Sequence, residues 1–132
     1  MTHLHYRVWD GEQMYYSGDE GLCLSIGEMM PNKVFGWSLW LDGYGVIAHS
    51  GDEKHILMWG TGVKDKNSRL IYDRDVYHQG DLNILHVVEF KGGSFAGKQI
   101  SSSSYTGLEY WKDRIEVIGD VYRNPDLLEA AE

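Results

Sequence analysis

Several histidines and acidic residues stand at spacings that metal sites use. His3 and His5 are two residues apart, so on a strand both imidazoles point to one face and can chelate an ion. Asp73 and Asp75 share that spacing and offer two carboxylates for a divalent cation that also carries a phosphate ligand. Neither pair has a third ligand at a regular spacing nearby. The sequence therefore predicts no metal site and no bound cofactor.

The segment that begins at Asp65 has the first positions of a calcium-binding loop but not the later ones. Its sixth position is Leu70, where the loop requires glycine, and its twelfth is Val76, where a bidentate glutamate is required. A charged β-turn over residues 64–68 is predicted instead.

Two further residues are candidates for a nucleophile and a base. Cys23 lies between Leu22 and Leu24, an apolar context that does not favour a reactive thiolate, and it is predicted to be a small buried residue. His86 lies on an apolar segment and is predicted to be a hydrogen-bonded core residue. No nucleophile, base and oxyanion donors stand together in the sequence, so we interpret the chain as non-enzymatic.

Aromatic side chains are the remaining candidates for a binding site. The chain has five Trp, nine Tyr and three Phe, which is ample core material for 132 residues. Trp37, Trp40 and Tyr44 stand close together and could form a stacking surface. Core packing is the simpler interpretation, but an exposed cluster would mark an interface with a protein partner or a second copy. These three residues are the candidate partner-binding residues.

The charge balance excludes several classes of protein. The chain has 12 Lys+Arg and 20 Asp+Glu, a net charge of −8. The excess is even, because residues 1–66 carry 5 basic against 9 acidic residues and residues 67–132 carry 7 against 11. Without a basic cluster, nucleic-acid binding through counterion release is disfavoured.

The cellular setting is predicted from what the sequence lacks. A single cysteine cannot form an intramolecular disulfide framework, which favours a reducing cytoplasm. No apolar run reaches the roughly 18 residues of a membrane-spanning helix, and the N-terminus lacks the apolar stretch of a signal peptide. We expect a cytoplasmic protein with no membrane partner.

Short apolar segments separated by glycine-containing turns predict a mainly β fold of short strands and hairpins. The predicted strands are residues 4–9, 13–16, 22–26, 34–41, 46–48, 56–59, 70–72, 84–90, 95–99 and 114–118. The strand 34–41 is apolar on both faces, so it is predicted to be buried on both sides or to meet a partner on one. A helical turn is predicted near residues 27–32.

One short C-terminal helix is predicted over residues 124–129. Asn124 is a good N-cap, and Pro125 suits the first helical position. Acidic residues in the first turn favour the positive end of the helix dipole.

Three segments resemble the YopX family of phage and prophage proteins. The first is Tyr6–Asp10 with Met14-Tyr15 shortly after it, the second is Thr61–Asn67 followed by Ile71-Tyr72, and the third is Ile115–Leu128. They span nearly the whole chain in the family's order. Two positions depart from the family pattern. Arg74 stands where the family has a glycine, and Gly60 stands where it usually has an aromatic residue.

The resemblance implies an origin in a phage or prophage of a bacterial host. It implies one domain over residues 1–132, which can be divided into two subdomains: a β-rich part over 1–65, and an SH3-like β-barrel with the C-terminal helix over 66–132. The family supplies no established activity or catalytic residues.

We therefore expect a small acidic binding or accessory module without catalytic activity, acting on a protein partner or as a homo-oligomer. Two alternatives stay open at this point. One is a nucleic-acid-associated phage protein, either a binder or an acidic mimic. The other is a metal-dependent enzyme that uses Asp73 and Asp75.

Overall fold

The computed structural model describes residues 5–29 and 34–130. These residues form a mainly β fold, as predicted, in two compact units, Met1–Met58 and Trp59–Glu132. The strand Ile56–Lys64 runs across the boundary, and the division predicted after residue 65 falls at the end of that strand.

The first unit holds a hairpin and a three-stranded antiparallel sheet. The hairpin strands are β1 (Tyr6–Trp9) and β2 (Met14–Tyr16), and the sheet strands are β3 (Leu22–Met29), β4 (Val34–Leu41) and β5 (Gly45–His49), in the order β3-β4-β5. Asp10 holds the hairpin turn, because its Oδ1 accepts the backbone N–H groups of Glu12 and Gln13 at 2.8 and 2.7 Å.

The core of this unit is built on Val8, Leu39 and Ala48, which are fully buried. Strand periodicity puts Leu39 and the half-buried Leu24 on the core face, since the two are directly paired across β3 and β4. The predicted helical turn is wrong for residues 27–29, which continue β3 as extended backbone, and residues 30–32 lie outside the described residues.

The second unit contains a short hairpin and a five-stranded sheet. Its elements are β6 (Ile56–Lys64), β7 (Leu70–Tyr72), β8 (Asp75–His78), β9 (Leu85–Lys91), β10 (Ser94–Gln99), β11 (Tyr105–Gly107), α1 (Leu108–Trp111), β12 (Glu116–Asp120) and α2 (Asp126–Ala130). Strands β8 to β11 follow one another as an antiparallel meander, and β12 returns after α1 to pair with β8.

This sheet surrounds the second core, formed by Ile71, Tyr77, Val88, Leu108 and Ile115. Strands β11 and β12 are its two edges in the described part of the chain. The closed SH3-like barrel therefore stays a prediction, whereas the β-rich C-terminal half is confirmed.

The short C-terminal helix is confirmed as α2, but Asn124 does not cap it as predicted. The Asn124 Oδ1 instead accepts the backbone N–H of Asp120 at 3.2 Å, four residues earlier. A Cβ at Gly119 would overlap that same Asn124 side chain, so the glycine leaves room for the contact. Within residues 5–29 and 34–130, neither helix has the length and apolarity needed to cross a membrane.

Candidate functional site

A groove on the three-stranded sheet of the first unit brings aromatic and apolar side chains together. Its volume is about 510 Å³. We call it the aromatic groove; its lining residues are Phe35, Gly36, Trp37, Ser38, Trp40, Val46, His49, Ser50 and Gly51. Four of them are large apolar residues. The lining of the groove is therefore suited to contact with apolar groups.

The aromatic groove is built by β4, β5 and the start of the following turn. A β-bulge between Leu39 and Trp40 shifts the register of β4 against β5, so Trp40 pairs with Val46. Trp40 is 46% exposed and Val46 is 44% exposed. The indole Nε1 of Trp40 donates to Ser38 Oγ at 2.9 Å, which fixes the ring's orientation.

The lining of the groove is also uncharged. Among the described residues that line it there is no Asp, Glu, Lys or Arg. Its rim at residues 49–55 is held by two imidazoles that act as acceptors. His49 Nδ1 accepts the N–H of Gly51, and His55 Nδ1 accepts the N–H of His49, both at 3.1 Å. Each neutral imidazole therefore carries its proton on Nε2.

Asp52 completes that rim. Its Oδ1 accepts the backbone N–H of Lys54 at 2.9 Å, and its Oδ2 lies 3.5 Å from His55 Nε2. The backbone hydrogen bond from Lys54 lowers the pKa of Asp52 below its ordinary value, and the nearby His55 acts in the same direction. A carboxylate thus stands next to the groove but not in it.

The three predicted partner-binding residues lie in different environments. Trp40 is exposed in the groove, whereas Trp37 lines it while packing against the core residues Val8, Leu39 and Ala48. Tyr44 is 79% exposed in the β4–β5 turn and does not line the groove.

Strand β4 is buried on both faces in its middle, at Ser38 and Leu39, but Phe35 and Trp40 are exposed, so the predicted burial on both sides does not hold along the whole strand. The sequence reasoning missed Phe35 and Val46. Phe35 is 74% exposed near the start of β4.

Cys23 was predicted to be buried and is exposed instead. The reason is the two-residue period of β3, which turns Leu22 and Leu24 to the core and Cys23 to the opposite face. On that face Cys23 is paired with Trp40, next to the aromatic groove.

The structure describes three of the four candidate metal ligands. His3 lies outside the described residues, and His5 is exposed. Asp73 and Asp75 flank a tight turn between β7 and β8 rather than sharing one strand face, and Asp75 Oδ2 accepts the N–H of Tyr72 at 2.7 Å. No group of three His, Cys, Asp or Glu side chains in residues 5–29 and 34–130 is arranged to hold a metal ion.

A polar cluster in the second unit was missed by the sequence reasoning. His78 Nε2 lies 2.8 Å from Glu116 Oε1, and His78 Nδ1 accepts the N–H of Gly80 at 3.0 Å. Asn67 Nδ2 donates to Glu116 Oε2 at 3.2 Å. The hydrogen bond from His78 lowers the pKa of Glu116, and the bond from Asn67 and the charge of Lys66 add to that effect. Both nitrogens of His78 are engaged, so the pair is built to hold strands together.

His86 is buried, as predicted, at 4% exposure, but its hydrogen bonding differs from the prediction. Its ring stacks on Tyr77 with centroids 5.0 Å apart, while Nδ1 has no hydrogen-bond partner among the described residues. Burial lowers the pKa of His86, so the neutral imidazole is the favoured form.

The motifs that carry the family resemblance are structural anchors. Asp65 is 5% exposed; its Oδ1 accepts the N–H groups of Asn67 and Arg69, both at 2.9 Å, and its Oδ2 accepts that of Val117 at 3.1 Å. Asp120 is fully buried and accepts the N–H groups of two following residues and the Arg123 Nε. These carboxylates therefore hold turns and strand ends in place, through backbone N–H groups and, at Asp120, the Arg123 side chain.

A family model and a related protein both match this chain, and both indicate the same family. A family model described as YopX protein matches residues 5–129. The SPbeta prophage-derived uncharacterized protein YopX of Bacillus subtilis (strain 168) is 37% identical over 135 residues, which cover 94% of this chain and 95% of the relative. The resemblance found in the sequence motifs is thereby confirmed.

Solved structures agree with this match. The crystal structure of YopX from Bacillus subtilis has a TM-score of 0.69 at 38% identity and covers 94% of this chain and 95% of its own. The crystal structure of protein EF1440 from Enterococcus faecalis has a TM-score of 0.56 at 17% identity, with coverage of 97% and 99%, and is similar in fold.

Proposed function

This chain belongs to the YopX family of prophage-derived proteins, and on that premise we propose that it is a non-catalytic binding module that acts in the cytoplasm of a bacterial host. We propose that it binds a protein partner through the aromatic groove. The observation that carries this proposal is the exposure of Phe35, Trp40 and Val46 around one uncharged groove. Such a patch on a chain of net charge −8 is characteristic of an interaction surface.

The chemistry of the groove favours a partner with an apolar or aromatic side chain. Trp40 and Phe35 provide ring faces, and the polar side chains at residues 49–55 lie at the edge of the groove. Interfaces of this type have an apolar centre enriched in aromatic residues and a polar rim.

A non-catalytic role is supported by the hydrogen bonds of the polar side chains, which are made within the fold. Asp65, Asp75 and Asp120 each accept backbone N–H groups, and His78 is bonded through both ring nitrogens. These groups stabilise turns and strand pairs. Calorimetric titration with Mg²⁺ or Mn²⁺ addresses the metal-dependent alternative directly, and binding that is lost in Asp73→Asn would favour it over the present proposal.

Nucleic acid is the less favoured partner. Stacking on aromatic residues is effective in nucleic-acid binding when basic side chains track the backbone beside them. No Lys or Arg is found among the described residues that line the aromatic groove. An anisotropy titration with labelled DNA at low salt tests this directly, and we expect no binding.

Photo-crosslinking inside host cells tests the protein-partner proposal. Benzoylphenylalanine placed at residue 35 puts a reactive ring in the groove, and the same residue at Leu82, which is 69% exposed in the second unit, is the control. We expect a host or phage protein crosslinked at residue 35 and absent at residue 82. Val46→Lys in the same background should abolish that product. Identical products at both positions, or none at residue 35, would overturn the proposal.

A further inference from the structure

Strand β3 is an open edge of the three-stranded sheet. Its ladder partner is β4, and no other described strand pairs with it. In an antiparallel ladder, alternate residues direct their backbone N–H and C=O groups away from the partner strand. Among the side chains of β3 that the structure describes, those of Cys23, Ser25, Ile26 and Glu28 are exposed. The outer edge of β3 is therefore accessible to another strand.

Residues 22–27 of this edge lack the charges and prolines that usually prevent strand addition. Natural edge strands carry Lys, Pro or inward-pointing charges. Between Glu20 and Glu28 this chain has no charged residue and no proline. Ile26 is 47% exposed on the core-facing side of the strand, beyond the buried part of the core. An uncharged run of this kind within an eight-residue edge strand is a template for pairing.

We propose that β3 pairs antiparallel with β3 of a second copy of this chain, around a two-fold axis at Ser25, to form a continuous six-stranded sheet. A two-fold axis perpendicular to the sheet keeps the same face of both copies on one side. Directly opposed residues then share a face. This inference concerns the sheet edge, and it stands independently of the partner proposed for the aromatic groove.

The register follows from which residues the axis would oppose. Centred at Ser25, the ladder pairs residues 22–28 and sets Leu24 against Ile26 of the second copy twice. Glu28 then faces Leu22, an uncharged residue. Centring one residue earlier would set Glu28 against Glu20, and like charges directly opposite each other destabilise a strand pair. Centring one residue later would set Glu28 against Leu24, and the two pairs of Leu24 with Ile26 would be lost.

The charge of the chain favours a second copy over a partner chosen by electrostatic attraction. A partner selected by a chain of net charge −8 would be basic and would meet carboxylates. The seven residues from 21 to 27 offer it none. Two copies of an acidic chain, in contrast, associate best where each presents no charge, and residues 22–27 of β3 form such a segment.

Disulfide crosslinking tests both the pairing and its register. Residues opposed in an antiparallel ladder have Cα atoms about 4.5–5.5 Å apart, which a disulfide spans. The variant Ser25→Cys with Cys23→Ser should form a covalent dimer rapidly with oxidised glutathione. The unaltered chain should not, because two Cys23 residues would be offset by four positions, about 13 Å along the ladder.

The matched control is Ser94→Cys with Cys23→Ser. Residue 94 is also exposed on a strand, but in the second unit, so it reports random collision. We expect crosslinking at residue 25 to exceed that at residue 94 by at least about tenfold, since opposition raises the effective concentration to the millimolar range. Equal rates at the two positions would overturn the proposal.

Light scattering on the full chain provides the non-covalent test. We expect a mass of twice the 15.1 kDa chain and a shift to the monomer in Ile26→Lys, which sets a charge at the edge. Val46→Lys, equally exposed on the same sheet but in the groove, should stay dimeric. A chain that is monomeric at all concentrations, or a dimer that Val46→Lys dissociates and Ile26→Lys does not, would contradict pairing through β3.

Discussion

The Tyr77 hydroxyl occupies the space that a Cβ atom at Gly97 would fill. Tyr77 lies on β8 and Gly97 on β10, so the tyrosine side chain reaches across the intervening strand β9. On the way its ring stacks on His86, and its hydroxyl ends 3.5 Å from Thr106 Oγ1. This one fully buried side chain thus connects four strands of the five-stranded sheet.

We expect Gly97→Ala to destabilise the protein by about 3 kcal/mol, because the added methyl group overlaps the fully buried side chain of Tyr77. Urea unfolding followed by tryptophan fluorescence measures the change. Gly107→Ala is the control, since a Cβ there meets no atom within 4 Å. It should change the free energy of unfolding by less than about 0.5 kcal/mol.

A double-mutant cycle identifies the hydroxyl as the cause. Tyr77→Phe removes the atom that the new methyl group overlaps most, so the double variant should recover part of the stability lost in Gly97→Ala. Simple addition of the two single effects would show that the loss arises elsewhere.

Asp65→Asn should be destabilising by about 2–3 kcal/mol, because the carboxylate accepts three backbone N–H groups and an amide cannot. The Asn Nδ2 would face the N–H of either Val117 or the pair Asn67 and Arg69, donor against donor. Chemical denaturation of the two proteins measures the difference. Asp81→Asn is the matched control, since the exposed Asp81 Oδ1 accepts only the N–H of Asn83 among the bonds described, and little change is expected.

Most of the strands were predictable because they depend on local sequence, but β8 and β11 were not among the predicted strands. Alternation and turn residues placed β1, β2 and β4 within a residue or two of their bounds. The burial of each face was harder to predict. Cys23 was assigned to the core because its neighbours are leucines, yet the two-residue period directs it away from the side chains on either side.

The polar contacts could not be predicted from the sequence for a different reason. His78 and Glu116 are 38 positions apart, and Asp65 and Val117 are 52 apart. Such pairs meet only after β12 has paired with β8, a register that no local pattern specifies. In the candidate site, Trp37 and Trp40 were found from residue type, whereas Val46 joined them through the bulge at Leu39 and Trp40.

Arg74→Gly should stabilise the protein by about 0.5–1 kcal/mol, because an L-residue in the left-handed region costs more than glycine loses in chain entropy. Arg74 has φ of 71° in the turn between β7 and β8, so the turn that family members make with glycine is made here by a strained residue. Its ion pair with Asp73, at 3.6 Å, is half-exposed and contributes little.

Arg74→Ala separates the backbone effect from the side-chain effect. Alanine keeps the left-handed strain and removes the guanidinium, so we expect a free energy of unfolding close to that of the unaltered chain. Thermal and urea denaturation of the three proteins give the comparison. If alanine stabilised the protein as much as glycine, the gain would come from removing the arginine side chain.

His86 should make stability fall as the solution is acidified. Burial lowers its pKa below the ordinary value of 6.5, so the unfolded chain binds a proton more readily than the folded one. The neutral form's contribution is therefore complete above about pH 6.5 and is lost progressively as the pH falls below it. The lowered pKa values of Asp10, Asp52 and Glu116 place their contributions in a separate, more acidic range, below their ordinary values of 3.8 to 4.5.

Urea unfolding between about pH 8 and about pH 5 isolates this effect. In His86→Phe the ring can still stack on Tyr77 but cannot take up a proton, so the loss of stability across that interval should be smaller than in the unaltered chain. His5→Gln, at an exposed position, should lose as much stability between these two pH values as the unaltered chain does. If His86→Phe kept the full pH dependence and His5→Gln removed it, the proton taken up on unfolding would not belong to the buried imidazole.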